Sequence, residues 1–147
     1  MRRLYRSLAL LMGSLLLFGV VPGALGAPPA RIVAAVKVTH NSGLGYSILV
    51  NNKGFTLYYW KQEKAGSIAC TADCATAWPP LLVPKGAKVP KSVKGASGRF
   101  GVITRPDGKR QVTYNRHALY TYFDDKQPGD TLCQNVGGWF VIKVSSR

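Results

Sequence analysis

Apolar and polar positions alternate in short runs separated by turn signals along most of the chain, and the period is that of strands rather than helices. Residues 32–39 are rich in valine and read as a first strand. Residues 46–50 and 55–60 flank Asn51-Asn52-Lys53-Gly54. Asn and Gly accept the backbone conformations of a tight reversal, so this segment predicts a hairpin. Residues 100–104 and 111–114 flank Arg105-Pro106-Asp107-Gly108-Lys109-Arg110 and predict a second one, with Pro-Asp-Gly at its tip. Residues 119–123 and 139–144 are further β-branched or aromatic runs. Helical character is confined to residues 71–78, where Trp78-Pro79-Pro80 ends it. Residues 85–98, rich in Lys, Gly and Ser, have no periodicity and read as an exposed loop. The expected fold is mainly β: a small single domain of antiparallel hairpins with one short helix or turn.

The pattern repeats once. Shifting the chain by 62 residues places Val50 on Val112, Leu57 on Leu119, Tyr58 on Tyr120, Trp60 on Tyr122 and Glu63 on Asp125. Both copies read Leu-Tyr-x-aromatic, two residues, then an acid. Strand alternation sends Tyr58 and Trp60 to one face, and likewise Tyr120 and Tyr122. Each acid falls in the turn beyond, where a carboxylate accepts backbone N–H bonds or reaches a tyrosine hydroxyl. Two readings follow: equivalent corners of an internally duplicated domain, or aromatic pairs that grip a ligand through Tyr58, Trp60, Glu63, Tyr120, Tyr122 and Asp125.

The start of the chain changes the picture of compartment. Arg2, Arg3 and Arg6 precede an apolar stretch over residues 8–21, then Pro22-Gly23 and the small residues of Ala24-Leu25-Gly26. This is the order of a secretory signal, with cleavage expected between Gly26 and Ala27. The alternative, a membrane anchor, requires about 20 apolar residues, more than this run supplies. No cysteine stands near the cleavage site, so lipidation is not expected. The divisions are residues 1–26 as signal, 27–44 as an N-terminal segment with a possible first strand, and 45–147 as the β domain. The mature protein has no expected transmembrane helix.

The full chain of 147 residues carries 20 Lys and Arg against 6 Asp and Glu, and three of the arginines lie in the signal. The remaining excess of basic side chains favours anionic partners, whether envelope polysaccharides, lipid head groups or nucleic acid met outside the cell. No specific nucleic-acid recognition is expected. The alternative is a basic surface that only keeps the protein soluble. Lys85, Lys88, Lys91 and Lys94 in the loop are the candidate surface. Cys70 and Cys74 lie close together, and in an oxidising compartment they are expected to form a disulfide that pins the short helix or turn. Cys133 is left over, whether buried, reactive or paired between chains.

Catalytic constellations are poor. His40 and His117 are the only histidines, His117 is expected in a turn beside Arg116, and no Gly-x-Ser-x-Gly elbow is present. Asp124 and Asp125 are adjacent, which directs them apart rather than across a substrate. The alternative chemistry is a copper or thiol-redox site built from Cys70, Cys74, His117 and Cys133, since reduced thiolates and imidazole suit copper.

The chain resembles a bacterial family of secreted-repeat proteins, often lipoproteins, described by a Tyr-x-(Phe/Trp/Tyr)-x-x-Asp motif. The resemblance rests on residues 54–60, Cys70-Thr71-Ala72-Asp73-Cys74-Ala75-Thr76-Ala77-Trp78-Pro79-Pro80-Leu81, residues 111–115, Leu119-Tyr120-Thr121-Tyr122-Phe123-Asp124-Asp125 and Pro128-Gly129-Asp130. These span about residues 45 to 144 in the family's order. Glu63 in place of the first motif's aspartate, the missing lipidation cysteine and Cys133 in a usually glycine-rich region are departures. The resemblance implies a secreted envelope protein and no defined activity. The resulting expectation is a non-catalytic envelope binding protein without cofactor, in the periplasm or outside the cell, whose partner is an anionic component or another envelope protein.

Overall fold

The first hairpin shows how the apolar runs are used. In the computed structural model, which describes residues 35–145, β1 (Val36–Asn41) pairs antiparallel with β2 (Tyr46–Asn51), Val38 opposite Leu49. The expected signal over residues 1–26 lies outside the described residues. Ile48, Leu49 and Val50 are all buried although they are consecutive. Alternation explains this, because Leu49 enters one apolar cluster while Ile48 and Val50 enter another on the opposite face. The strands therefore run between two cores, and a strand covered on both faces reads as a continuous apolar run.

The same division holds across the whole strand system. Leu57, Val112, Leu119 and Ile142 belong to the first core; Tyr58, Ala118, Tyr120, Trp139 and Val141 belong to the second. β3 (Tyr58–Trp60) pairs with β8 (Trp139–Val141), while β4 (Leu82–Val83), β6 (Arg110–Tyr114) and β5 (Phe100–Thr104) follow one another in a sheet whose β6 also pairs β7 (His117–Ala118). The Pro-Asp-Gly hairpin forms as the sequence predicts. Residues 119–123 form bridges at Tyr120 alone, to Tyr58 and to Pro80, rather than a strand, and residues 55–57 contribute only a bridge at Thr56. His117 is in β7, not in a turn. The reversal is made by Asn115 and Arg116, whose φ values of 49° and 70° match the twist of a two-residue hairpin turn.

The two copies interlock. Tyr58 and Tyr120 pair directly, each N–H donating to the other's carbonyl at 2.8 and 3.0 Å. Outward from that centre, Tyr58 pairs with Val141 and Tyr120 with Pro80. The segment that closes the first copy thus hydrogen-bonds to the second, and the reverse. Leu81 N–H donates to Leu119 and Ile142 N–H to Leu57, at 2.9 and 3.1 Å. Internal duplication is present, and its two units exchange their last strands.

The sequence set residues 27–44 apart, but β1 is hydrogen-bonded along its length to β2, so the folded unit begins no later than Val36. The loop over residues 85–98 exposes its four lysines yet is held by Ala87, Val89, Val93 and Ala96, which pack on the first core. Gly98 is required there. A Cβ at this position would overlap the Tyr114 ring, whose hydroxyl accepts the Gly98 N–H at 2.8 Å. The helix α1 (Asp73–Ala77) is a single turn, closed by the Cys70–Cys74 disulfide. On the chain-entropy account so short a loop contributes about 2 kcal/mol.

Strand exchange has a direct consequence for folding. A peptide of residues 35–99 and one of residues 100–145 should each lack dispersed amide resonances, because each leaves the closing strand of its partner unpaired. Mixed in equal amounts they should recover the spectrum of the intact chain. A dispersed spectrum from either half alone would contradict the interlocked arrangement.

Candidate functional site

The motif residues meet where the copies cross. Tyr58 lies on β3 and Asp125 in the turn after Tyr122, and the Tyr58 hydroxyl donates to Asp125 Oδ2 at 2.8 Å. Tyr120 reaches the opposite way, its hydroxyl 2.9 and 3.1 Å from the two Glu63 oxygens. Each tyrosine is thus bound by the other copy's acid. The acids in turn hold their own loops: Glu63 Oε1 accepts the Ala69 and Cys70 N–H groups at 2.6 and 3.1 Å, and Asp125 Oδ1 accepts Leu132 N–H at 3.1 Å. Cys70 and Leu132 are both seven residues beyond their acid, so Glu63 and Asp125 are equivalent despite the extra methylene. All four motif residues are buried, the tyrosines completely.

Burial sets the electrostatics. It is the main cause that raises the Tyr58 and Tyr120 hydroxyls far above the ordinary phenol range, reinforced by the neighbouring Asp125 and Glu63 carboxylates. Burial also raises the Asp125 carboxyl, against the opposing hydrogen bonds from Tyr58 and Leu132. The tyrosines therefore stay protonated and act as donors.

A further polar group completes the Glu63 side. Arg105 is 4% exposed and donates through Nη1 to Gln111 Oε1 and through Nη2 to the Cys70 carbonyl at 2.8 Å. Gln111 Nε2 donates to the Leu119 carbonyl at 2.7 Å. Arg105 Nε is the one buried side-chain polar atom among the described residues without a hydrogen-bond partner; Asp107 Oδ1 lies 3.8 Å away. Arg105 ties the second hairpin to the disulfide loop. Sequence reading placed Arg105 and Gln111 at a hairpin end and gave neither a role. No local signal set Gln111 apart, because its strand also carries Arg110 and Thr113.

The ligand-gripping reading of the motif needs correction. Tyr58, Glu63, Tyr120 and Asp125 are enclosed, and their polar atoms are satisfied by one another and by backbone, so no exogenous group can reach them. Trp60 and Tyr122 are half-buried at the ends of an aromatic stack. Trp60 lies on Trp139 (5.7 Å between centroids, 9° between planes), Trp139 on Trp78 (4.6 Å, 5°) and Trp78 on Tyr122 (5.5 Å, 28°). These contacts build the second core.

The residues named for copper are not gathered. Cys70 and Cys74 are joined, which removes both thiolates. Cys133 is buried and accepts the Trp78 Nε1–H at 3.1 Å, with burial raising its thiol. His117 packs on Tyr59, 5.3 Å between ring centroids. Among the described residues no group of three or more His, Cys, Asp or Glu is arranged to hold a metal ion. Lys85, Lys88, Lys91 and Lys94 are all exposed.

Removing the Glu63 carboxylate strands two amides and a phenol, each costing about 1–3 kcal/mol when left unpaired in the interior. Glu63→Ala should therefore lose about 3 kcal/mol or more in urea unfolding, and more than Asp125→Ala, whose carboxylate serves one amide and one phenol. Equal losses would show that the acids do not act through these bonds.

The raised Asp125 carboxyl also gives a pH dependence. The folded chain holds this proton at pH values where the unfolded chain has released it, so the stabilisation is full below about pH 3.9 and is lost as pH rises through the folded value. Relative to Asp125→Asn, the wild type should gain in urea midpoint on acidification from pH 7 towards pH 4. A difference that is flat with pH, or that falls on acidification, would contradict the direction of the shift.

No curated protein and no solved structure matches the chain. Among the described residues no helix is long and apolar enough to cross a membrane. A family described as a secreted repeat of unknown function matches twice, over residues 39–82 and 101–143, the two interlocked units seen in the fold. With both units matched and more than half of the sequence covered, the chain belongs to this family of secreted repeats.

Proposed function

We propose that this exported protein is a non-catalytic binding protein of the cell envelope that engages an anionic polymer through its basic surface. The observation that carries the reading is the loop bearing Lys85, Lys88, Lys91 and Lys94. All four side chains are exposed, the loop is anchored by apolar residues between them, and no Asp or Glu occurs from residue 75 to residue 106. An open cleft of about 550 Å³ beside Lys85 is also lined by Lys109 and Arg110. The four loop lysines take part in none of the ion pairs among the described residues, whereas Lys109 pairs with Asp107, and unpaired cations keep their field for a ligand.

The disposition of the acids supports the same reading. Glu63 and Asp125 are internal, Asp130 accepts the Lys126 and Gln127 N–H groups, Asp107 pairs with Lys109 and Asp124 with Lys126. Few carboxylates are left for general acid–base work, and the basic residues stay in large excess at the surface.

Replacing Lys85, Lys88, Lys91 and Lys94 together with glutamine should lower the salt concentration that elutes the protein from a heparin column. The drop should exceed that from the control set Lys37, Lys53, Lys61 and Lys64, because clustered cations release more counterions from one stretch of polymer. The same shift from both sets would reduce the effect to net charge and overturn the loop as the binding surface.

A further inference from the structure

The face of β5 and β6 that turns away from the first core is only half covered. Phe100, Val112 and Tyr114 belong to that core, so alternation sends Gly101 and Thr113, which are paired, to the other side. Arg99 and Asn115 lie on that side too, because the ladder continues to them: Asn115 N–H donates to the Arg99 carbonyl at 2.8 Å. The disulfide loop covers one end of this face, where Arg105 bonds to Gln111 and to the Cys70 carbonyl. The other end, over Gly101 and Thr113, is open as a cleft of about 300 Å³.

Gly101 makes the opening. A Cβ there would stand 3.0 Å from Thr113 Oγ1, so this hydroxyl faces a space that any other residue would fill. Thr113 is only 7% exposed, yet its Oγ1 has no hydrogen-bond partner among the described residues. Unlike Arg105 Nε, this oxygen is not sealed from water, and a group entering the cleft can complete its bonding. Asn115 Oδ1 accepts the Arg99 N–H at 2.9 Å, which leaves the amide NH₂ to donate. The Arg116 guanidinium lies against Gly66, where a Cβ would be 3.0 Å from its Nη2, and Gly66 N–H donates to the Arg116 carbonyl at 2.8 Å. Gly66 leads into the disulfide loop, so Arg116 is held on the same side of the sheet as Thr113. Arg99 and Arg116 take part in none of the ion pairs among the described residues, and no carboxylate lines the cleft.

Two guanidinium forks, an amide NH₂ and a hydroxyl select an oxyanion. A carboxylate offers two oxygens in one plane and is filled by a single fork. A phosphate directs its oxygens to several sides, which lets donors from both strands and from the β6–β7 turn bond to it at once. We propose that this cleft binds a phosphate group, held between Arg99 and Arg116 with one oxygen on the Thr113 hydroxyl. The inference rests on the anionic-polymer reading only in assigning that phosphate to an envelope polymer, and the site uses none of the four loop lysines.

The test is an amide NMR titration of the purified exported protein with inorganic phosphate, at an ionic strength held constant with sodium chloride. Acetate at the same concentration is the control for charge alone. Phosphate should shift the amides of Gly101, Thr113 and Arg116, and acetate should leave them in place. Thr113→Val should weaken binding about tenfold, the loss of one hydrogen bond to a charged group. It should not lower the urea midpoint, since no bond within the protein is lost. Arg99→Lys should also weaken binding, because it keeps the charge and loses the fork. A short poly(glycerol phosphate) that binds more tightly than inorganic phosphate would support the polymer as the source, and equal affinity would assign the site to free phosphate. The four-lysine variant should keep the cleft shifts, so failure of the loop on the heparin column and failure of the cleft are separately visible. Absence of shifts at the cleft, equal shifts with acetate, or full affinity in both Thr113→Val and Arg99→Lys would each overturn the proposal.

Discussion

A tyrosine in the interior must find a partner for its hydroxyl, and here each central tyrosine finds it in the other half of the chain. Tyr58 is bound by Asp125 and Tyr120 by Glu63, while their backbones pair with each other. A buried carboxylate is costly unless it is hydrogen-bonded, so both acids also collect amides from the loops that follow them. Backbone pairing and crossed side-chain bonds impose the same register, which lets neither repeat slide against the other. The disulfide turn, the helix and the closing strands are positioned by loops that these two carboxylates hold.

The crossing explains why one small chain has two cores. Strands from both repeats lie side by side between the clusters, so consecutive residues are buried on opposite faces. The second core is chiefly aromatic, with Trp139 almost fully buried between Trp60 and Trp78. Stacked rings fill the space beneath the crossing, and Cys133 fills it further as a small apolar group that also accepts a bond from Trp78. Arg105 is the cation among the buried polar residues, and it is present in the second copy only. Its first-copy counterpart under the 62-residue shift is Gly43, on the turn between β1 and β2. The duplication is therefore kept where the copies cross and lost at their edges.

The same economy shapes the surface. With two of six acids enclosed and most of the others held in local turns and pairs, cations dominate the exterior. The loop over residues 85–98 offers a row of solvated ammonium groups.

Local chemistry carried much of the fold. The Pro-Asp-Gly hairpin, the turn at Asn51–Gly54, the short helix, the disulfide and the duplicated motif are each dictated by residues close together in sequence, so the sequence determined them. The strand at Val36 and the family are legible for the same reason. The exchange of closing strands is not legible, because Leu81 paired with Leu119 and Ile142 paired with Leu57 use backbone groups that every residue carries. Nor does alternation reveal that Tyr58 and Tyr120 lie inward, since a strand with one wet face and a strand between two cores share the period of two. Arg105 shows the remaining limit. A charged residue at a hairpin end reads as solvated, and only the packing of the disulfide loop against it, bringing the Cys70 carbonyl within 2.8 Å, makes an interior position affordable. Sequence determined the parts and their repetition; tertiary structure alone decided which groups lost water, because desolvation depends on neighbours distant along the chain.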